Sequence, residues 1–242
     1  MDSTTVKALG VIQALAFSTE SRGVAELGRQ VKLTQSNTFR ILNTLVSQGF
    51  VRRDGESGRY ALTTRMWEYG MQVIDRHPVR RVATIHMKQL YTQFNETILV
   101  SELSGHEVIY IDKVEADYPV RASARIGSRA AAWRTASGRA MLAFYPDKEL
   151  AAILAPAKLD AAEIKRVKEA LKEVKARGFA STLSGVRTGV NSVAAPIWGH
   201  DKVPLAAISV SGPEERFTTQ KMAELSAAVM NTATKISTSL GV

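Results

Sequence analysis

At 242 residues the chain is longer than a typical single domain, so two domains are the natural expectation. Hydrophobic residues at 45% can fill a core and 23% charged residues argue against disorder; the absence of cysteine excludes disulfide scaffolds, thiolate nucleophiles, Fe–S clusters and cysteine-based zinc sites. Lys and Arg total 32 against 23 Asp and Glu, a formal charge of +9 that suits a polyanion without naming one. The start, Met1-Asp2-Ser3-Thr4-Thr5, has no basic segment leading into an apolar run, and no stretch approaches the roughly 18–20 apolar residues of a membrane span. A bacterial cytoplasmic location with no membrane partner is therefore expected.

In chain order, Val6, Leu9, Ile12 and Ala16 recur at helical spacing, and 18–23 reads as a turn. A short second helix, about 24–31, turns Leu27 and Val31 inward. Lys32-Leu33-Thr34 joins it to a third helix with Thr34 or Ser36 as N-cap, Ile41, Leu42, Leu45 and Val46 as its apolar stripe and Gly49 at its end. Residues 50–53 and 59–62 then flank Asp54-Gly55-Glu56-Ser57-Gly58 as a hairpin. Three helices followed by a two-stranded wing is the winged helix-turn-helix layout. A helix over 65–77 runs to Pro78, where a boundary is expected.

Beyond Pro78 the pattern predicts a helix to Phe94, strands at 97–103 and 107–114, helices near 137–145, 147–154 and 160–177, strands at 191–198 and 205–212, and a closing helix over 218–240. The expected organisation is a winged helix-turn-helix domain (1–64), a linker helix (65–78) and a larger effector-binding and oligomerisation domain (79–242). The fold class is α+β.

The exposed face of the third helix carries Gln35, Ser36, Asn37, Arg40 and Asn43, side chains able to reach base edges and phosphates in a major groove. The wing adds Arg52, Arg53 and Arg59 as backbone contacts. From Arg22 to Arg65 eight basic residues face three acidic ones, a net of +5. In the larger domain, small residues at 135–138 open a helix, where unpaired N–H groups can meet a carboxylate. Ser209 and Ser211, two apart on a strand, face one way while Ile208 and Val210 face the other, and Ser192 on the neighbouring strand can reach the same place. The alternative is small residues packing a tight sheet.

Three blocks, in order, carry a resemblance: Arg177-Gly178-Phe179-Ala180, Gly189-Val190-Asn191-Ser192-Val193-Ala194-Ala195-Pro196 and Ala206-Ala207-Ile208-Ser209-Val210-Ser211-Gly212-Pro213. Ala136-Ser137-Gly138-Arg139-Ala140 and Thr38-Phe39-Arg40-Ile41-Leu42 support it. Over nearly its whole length the chain resembles the IclR (isocitrate-lyase-regulator) family of transcriptional regulators. That resemblance implies a winged-helix head, a linker helix and a GAF-like effector domain that binds a small metabolite, commonly an organic or aromatic acid. It also implies homodimers or dimers of dimers joined through both parts. By motif, the pocket positions are Ala136, Ser137, Thr182, Ser192, Ser209 and Ser211. The chain departs from the common pattern at Ser181-Thr182-Leu183-Ser184, where relatives often carry an acidic run, and at Ser192, where cysteine is frequent. Hydroxyls in place of a carboxylate, with Arg134 and Arg187 nearby, favour an anion.

Catalysis is not expected, nor is a metal or cofactor. His77, His86, His106 and His200 lack ligand spacing and read as solvent-facing or capping residues, and no nucleophile elbow, phosphate loop or dinucleotide loop is present. Trp67 and Tyr69 read as packing or dimer contacts; Trp133 and Met141 fit either a pocket wall or the core. The expectation is a ligand-responsive regulator, nucleoid-associated when bound to double-stranded operator DNA. Two recognition helices would sit about one DNA turn apart, roughly 34–36 Å. The rivals are an enzyme acting on a small carboxylic acid with a docking head, and a nonspecific architectural DNA binder driven by charge.

Overall fold

The computed structural model describes residues 3–183, 185, 186 and 188–242. The chain divides into two units, Met1–Asp75 and Arg76–Val242. The first holds α1 (Ser3–Ala16), α2 (Val24–Gln30), α3 (Gln35–Ser47), the strands β1 (Val51–Arg53) and β2 (Tyr60–Leu62), and α4 (Arg65–Asp75). Val11, Ala14, Leu15, Leu27, Ile41, Leu42, Leu45, Val51 and Tyr60 form its core.

Two predicted stripes are corrected. In α1 the buried face is Val11, Ala14 and Leu15, whereas Val6, Leu9 and Ala16 face solvent. The helix is apolar on most sides, so helical spacing fits two overlapping frames and only packing against α3 selects one. In α3, Val46 is exposed and Thr38 is buried in its stead, its hydroxyl donating to the Thr34 carbonyl at 2.9 Å. That bond removes the usual cost of burying a hydroxyl. Thr34 is the N-cap of α3, accepting the Asn37 N–H. Gly49 follows the helix at φ +73°, a conformation that suits glycine.

The wing pairs Val51 with Leu62 and Arg53 with Tyr60. At its turn the Asp54 carboxylate accepts the Ser57 N–H and hydroxyl and the Glu56 N–H, which holds its pKa below the usual range. Arg22 pairs with Tyr60 from the other side, so the segment after α1 widens the wing's root.

The second unit runs α5 (Pro78–Phe94), β3 (Thr97–Ser104), β4 (Glu107–Val114), β5 (Arg129–Ala131), α6 (Ala136–Leu142), α7 (Asp147–Leu154), α8 (Ala161–Arg177), β6 (Ala180–Thr182), β7 (Val190–Trp198), β8 (Pro204–Pro213) and α9 (Thr219–Ser239). Six strands form one antiparallel sheet in the order β5-β4-β3-β8-β7-β6. The edge strands β5 and β6, three residues each, were not expected from sequence, being too short to show alternation. Pro78 does more than mark a boundary: it opens α5 at its first turn, where a missing N–H costs nothing.

Alternation along the central strands divides the sheet into two faces. Helices α5 and α9 cover the face carrying Ile98, Val100, Val193, Ala195, Ile208 and Val210. On the other face α6 packs with α8 over Val108, Ala194 and Ala207, in a cluster that also holds Met141, Leu142, Val167, Leu171 and Val174. The part of that second face left uncovered by helix is the floor of a cavity.

Candidate functional site

Strand register sets the floor. Thr182 pairs with Ser192, Ser192 with Ser211, and Ser211 with Thr97, giving a row of four hydroxyl residues across β6, β7, β8 and β3. The next row places Ser209 opposite Leu99. Ser192 Oγ and Ser211 Oγ lie 2.7 Å apart in a shared hydrogen bond. Ser209 Oγ has only a long contact, 3.5 Å, with the Leu99 carbonyl. Ala136 and Ser137 come in from α6, which the Thr135 side chain caps by accepting the Gly138 N–H at 2.9 Å. All six expected positions, Ala136, Ser137, Thr182, Ser192, Ser209 and Ser211, line one cavity of about 570 Å³.

Much of the remaining wall is the coil between β4 and β5, which sequence reasoning did not assign to the site. It contributes Arg121, Ala122, Ser123, Ala124, Arg125 and Ser128, and Arg129 follows at the start of β5. The coil is pegged down. Thr97 Oγ1 donates to the Ala122 carbonyl at 2.7 Å and accepts the Ala116 N–H at 3.3 Å. Arg216 donates to the Val120 carbonyl at 3.1 Å, stacks over Tyr118 and pairs with the carboxylate of Glu96, which is 3% exposed. This pairing raises the Arg216 pKa. Glu115 accepts the Ser123 hydroxyl at 2.7 Å and Lys113 Nζ at 2.9 Å, and those bonds hold its pKa below the usual carboxylate range.

The three cations of this wall are not equivalent. Arg121 donates to the Tyr118 carbonyl and lies 4.0 Å from Glu115; Arg129 donates to Ser104 Oγ at 3.0 Å and approaches Glu107. Arg125 has no side-chain hydrogen bond or ion pair among the described residues. Of the two arginines expected near the site, Arg134 donates to the Gly185 carbonyl and is not among the cavity's lining, and Arg187 lies outside the described residues. Trp133 and Met141 belong to the core cluster rather than the cavity wall, Trp133 stacking on His106. The legible signal was the Arg121, Arg125, Arg129 repeat, at four-residue spacing among small residues with no acid between them.

His77, read as a solvent-facing or capping residue, stands at the N-cap position of α5 without a side-chain cap bond, and its Nε2 lies 3.0 Å from a Glu102 carboxylate oxygen. Among the described residues no group of three His, Asp or Glu could hold a metal ion, and no helix is long and apolar enough to cross a membrane.

In the first unit, Gln35, Ser36, Asn37, Arg40 and Asn43 all lie on exposed positions of α3. Phe39 is half exposed among them, and Lys7 of α1 shares a groove with Asn37 and Arg40. Arg52 and Arg53 are exposed on β1. Arg59 is differently occupied: it donates to both Glu26 carboxylate oxygens, at 3.0 and 3.3 Å, and to the Ser21 carbonyl. Its guanidinium thus ties the wing to α2. On α4 no residue is buried; Trp67 is 67% exposed, while Tyr69 packs edge-on against Phe50.

The described geometry meets independent likenesses along the whole chain. The family model for the helix-turn-helix domain of IclR matches residues 4–55, and that for the C-terminal part of the bacterial transcriptional regulator IclR matches residues 71–238. The HTH-type transcriptional regulator KdgR of Escherichia coli is 30% identical over 250 residues, covering 99% of this chain and 93% of the relative. The transcriptional repressor IclR of the same organism is 29% identical, covering 97% and 89%. The crystal structure of Thermotoga maritima IclR is 29% identical and superposes with a TM-score of 0.73 over 100% of both chains. An IclR homologue from Microbacterium hydrocarbonoxydans, solved in complex with 4-hydroxybenzoate, shares the fold with a TM-score of 0.80 at 20% identity, covering 99% of each chain.

Proposed function

The chain belongs to the IclR family and is a DNA-binding transcriptional regulator; from that premise we propose how its two units divide the work. The cavity of the second unit binds a small carboxylate effector. The observation that carries this reading is the meeting of Ser137, Thr182, Ser192, Ser209 and Ser211 with Arg125, which has no ion pair among the described residues, around one cavity without an acidic side chain among its described lining residues. Hydroxyls and a guanidinium stabilise an anion, and among the described residues no carboxylate pairs with Arg125.

In the first unit α3 enters the major groove, with Gln35, Asn37, Arg40 and Asn43 meeting base edges, Ser36 a phosphate, and Phe39 offering an apolar contact to a thymine methyl. Arg52, Arg53 and Lys7 meet phosphates; Arg59 supports the wing from within. The protein works as a homodimer or dimer of dimers in the bacterial cytoplasm, on a near-palindromic operator, with domain limits at 1–64, 65–78 and 79–242. Effector binding shifts the balance between two arrangements of the dimer by no more than its differential affinity for them.

The test begins by selecting an operator from a random duplex pool with the full-length protein. Arg40→Ala should weaken operator binding at least tenfold, while Arg59→Gln should stay within about threefold of the parent. The double variant S209V/S211V should retain the operator and lose the response to the effector. An unchanged Arg40→Ala isotherm, or a normal response in the double variant, overturns the corresponding assignment.

A further inference from the structure

We propose that the cavity is built for a polyhydroxylated carboxylate, of the aldonic or uronic acid class, in preference to an aromatic acid. The proposal rests on reading the cavity as the effector site and goes on to name the chemistry of what enters it. Small-molecule pockets are usually lined by apolar and aromatic side chains with a few placed polar groups. Here that balance is reversed. Ser123, Ser128, Thr135, Ser137, Thr182, Ser192, Ser209 and Ser211 all line the cavity, and Tyr110 is the sole aromatic ring among its described lining residues.

Several of these hydroxyls are already engaged. Ser123 donates to Glu115, Ser128 to the Arg125 carbonyl, and Thr135 caps α6. Two are not: Ser137 and Thr182 are 3% and 6% exposed and make no hydrogen bond among the described residues. The Ser192–Ser211 pair uses one of its two protons internally and has another to donate. Unengaged hydroxyls therefore stand on α6, β6 and the β7–β8 floor, on different sides of one space.

An aromatic ring laid over this floor would cover Ser192, Ser209 and Ser211 with carbon and strip water from Ser137 and Thr182 without replacing it. Polar groups that lose water and gain no partner reject a ligand strongly, which is how sites built for hydroxyls discriminate. A chain of ligand hydroxyls fills the same positions with donors and acceptors. The carboxylate goes to Arg125, since Arg121 and Arg129 are already bonded within the protein. At about 570 Å³ the cavity takes a six-carbon acid with room for bridging water.

Titration calorimetry of the full-length protein with D-gluconate, D-galacturonate, D-glucose, benzoate and 4-hydroxybenzoate tests this. At least one sugar acid should bind at least tenfold more tightly than either benzoate and than neutral glucose. Thr182→Val, which keeps the side-chain shape, should lose tenfold or more for the sugar acid; if that variant does not fold, Ser137→Ala carries the same comparison. Arg125→Gln should remove the advantage of the acid over glucose. A benzoate that binds more tightly than the sugar acids and is lost in Arg125→Gln overturns the polyhydroxy inference and leaves the carboxylate site standing. A sugar acid whose affinity is unchanged in the hydroxyl variant overturns the inference as well. If no acid of either kind binds the folded protein, both the inference and the carboxylate reading fall.

Discussion

Replacing Gly138 with alanine is expected to destabilise the second unit, although alanine is the better helix former. A Cβ at this position would stand 2.2 Å from the Ala132 carbonyl oxygen, 2.5 Å from its Cα and 2.6 Å from its carbonyl carbon. All three are backbone atoms, so no rotamer change relieves them, and reaching ordinary contact at 3.4 Å requires α6 or the turn at Ala132 to retreat by about 1 Å. Six of the seven residues of α6 are buried, so the retreat loosens contacts to Val108 and Ala194 at the same time. Overpacking typically costs about 1–3 kcal/mol, and backbone-to-backbone contact places this case at the upper end. The gain in helix propensity returns about 1 kcal/mol. The net, about 2 kcal/mol, corresponds to a fall of roughly 4–8 °C in Tm for a domain of this size. Gly70 is the control: it lies mid-helix in α4 with nothing within 4 Å of a Cβ, so Gly70→Ala should stabilise its own unit by about 0.5–1 kcal/mol. Differential scanning calorimetry of both variants decides the matter. A Gly138→Ala transition at or above the parent's refutes the close-approach argument, because propensity would then outweigh contact.

Two further outcomes follow from the coil that walls the cavity. Arg216→Gln leaves the buried Glu96 carboxylate without its cation; breaking a buried pair costs about 3–5 kcal/mol, and the partial exposure of Arg216 favours the lower end. Amide hydrogen exchange in 118–122 should accelerate in that variant, and unchanged protection there would show that Arg216 does not hold the coil. For pH, the Glu115 carboxylate is stabilised in the folded state, so its grip on Ser123 is complete above the ordinary glutamate range and is lost only as pH falls through its lowered pKa. Effector affinity should therefore be flat through the neutral range and drop only at pH below the ordinary glutamate range. A drop between pH 6 and 7 would assign the dependence to a histidine instead.

Much of this is legible in the amino-acid sequence. The long elements declared themselves by period, and Ser209 and Ser211 declared their common face because alternation on a strand is strict. Ser192 fell beside them on the neighbouring predicted strand, whereas Thr182 joined them only through resemblance, since register across β6, β7 and β8 involves residues far apart in sequence. What escaped has particular causes. In α1 an apolar helix offers two equivalent stripes, and only the partner surface chooses. Arg59 and Arg52 look alike in a basic hairpin; Glu26, 33 residues away, separates their roles. The coil of 115–128 has no helical or strand period, so beyond its charge Arg125 showed only a four-residue spacing to Arg121 and Arg129, which does not tell the three apart. Its role appears only when Tyr118, Glu115, Ser104 and Glu107 are seen to occupy its two neighbours.

The pegging of that coil bears on how tightly the site can bind. A ligand that must order a loose segment spends part of its binding free energy on the ordering, whereas a wall already in place costs little. Thr97 is the peg that tests this without touching the ligand. Its side chain is fully buried, and one hydroxyl bonds two coil residues, Ala116 and Ala122, that are themselves buried. Thr97→Val keeps the volume and leaves one N–H and one carbonyl without a partner, a penalty of about 1–3 kcal/mol for each. The coil will leave the sheet to satisfy them in water, carrying Arg121, Ser123 and Arg125 with it. Effector affinity should fall about tenfold while the first unit's DNA contacts, made by different residues, stay unchanged. An effector titration of Thr97→Val that overlays the parent would mean that the floor alone provides the binding, and that the arginines of the coil stand by without contributing.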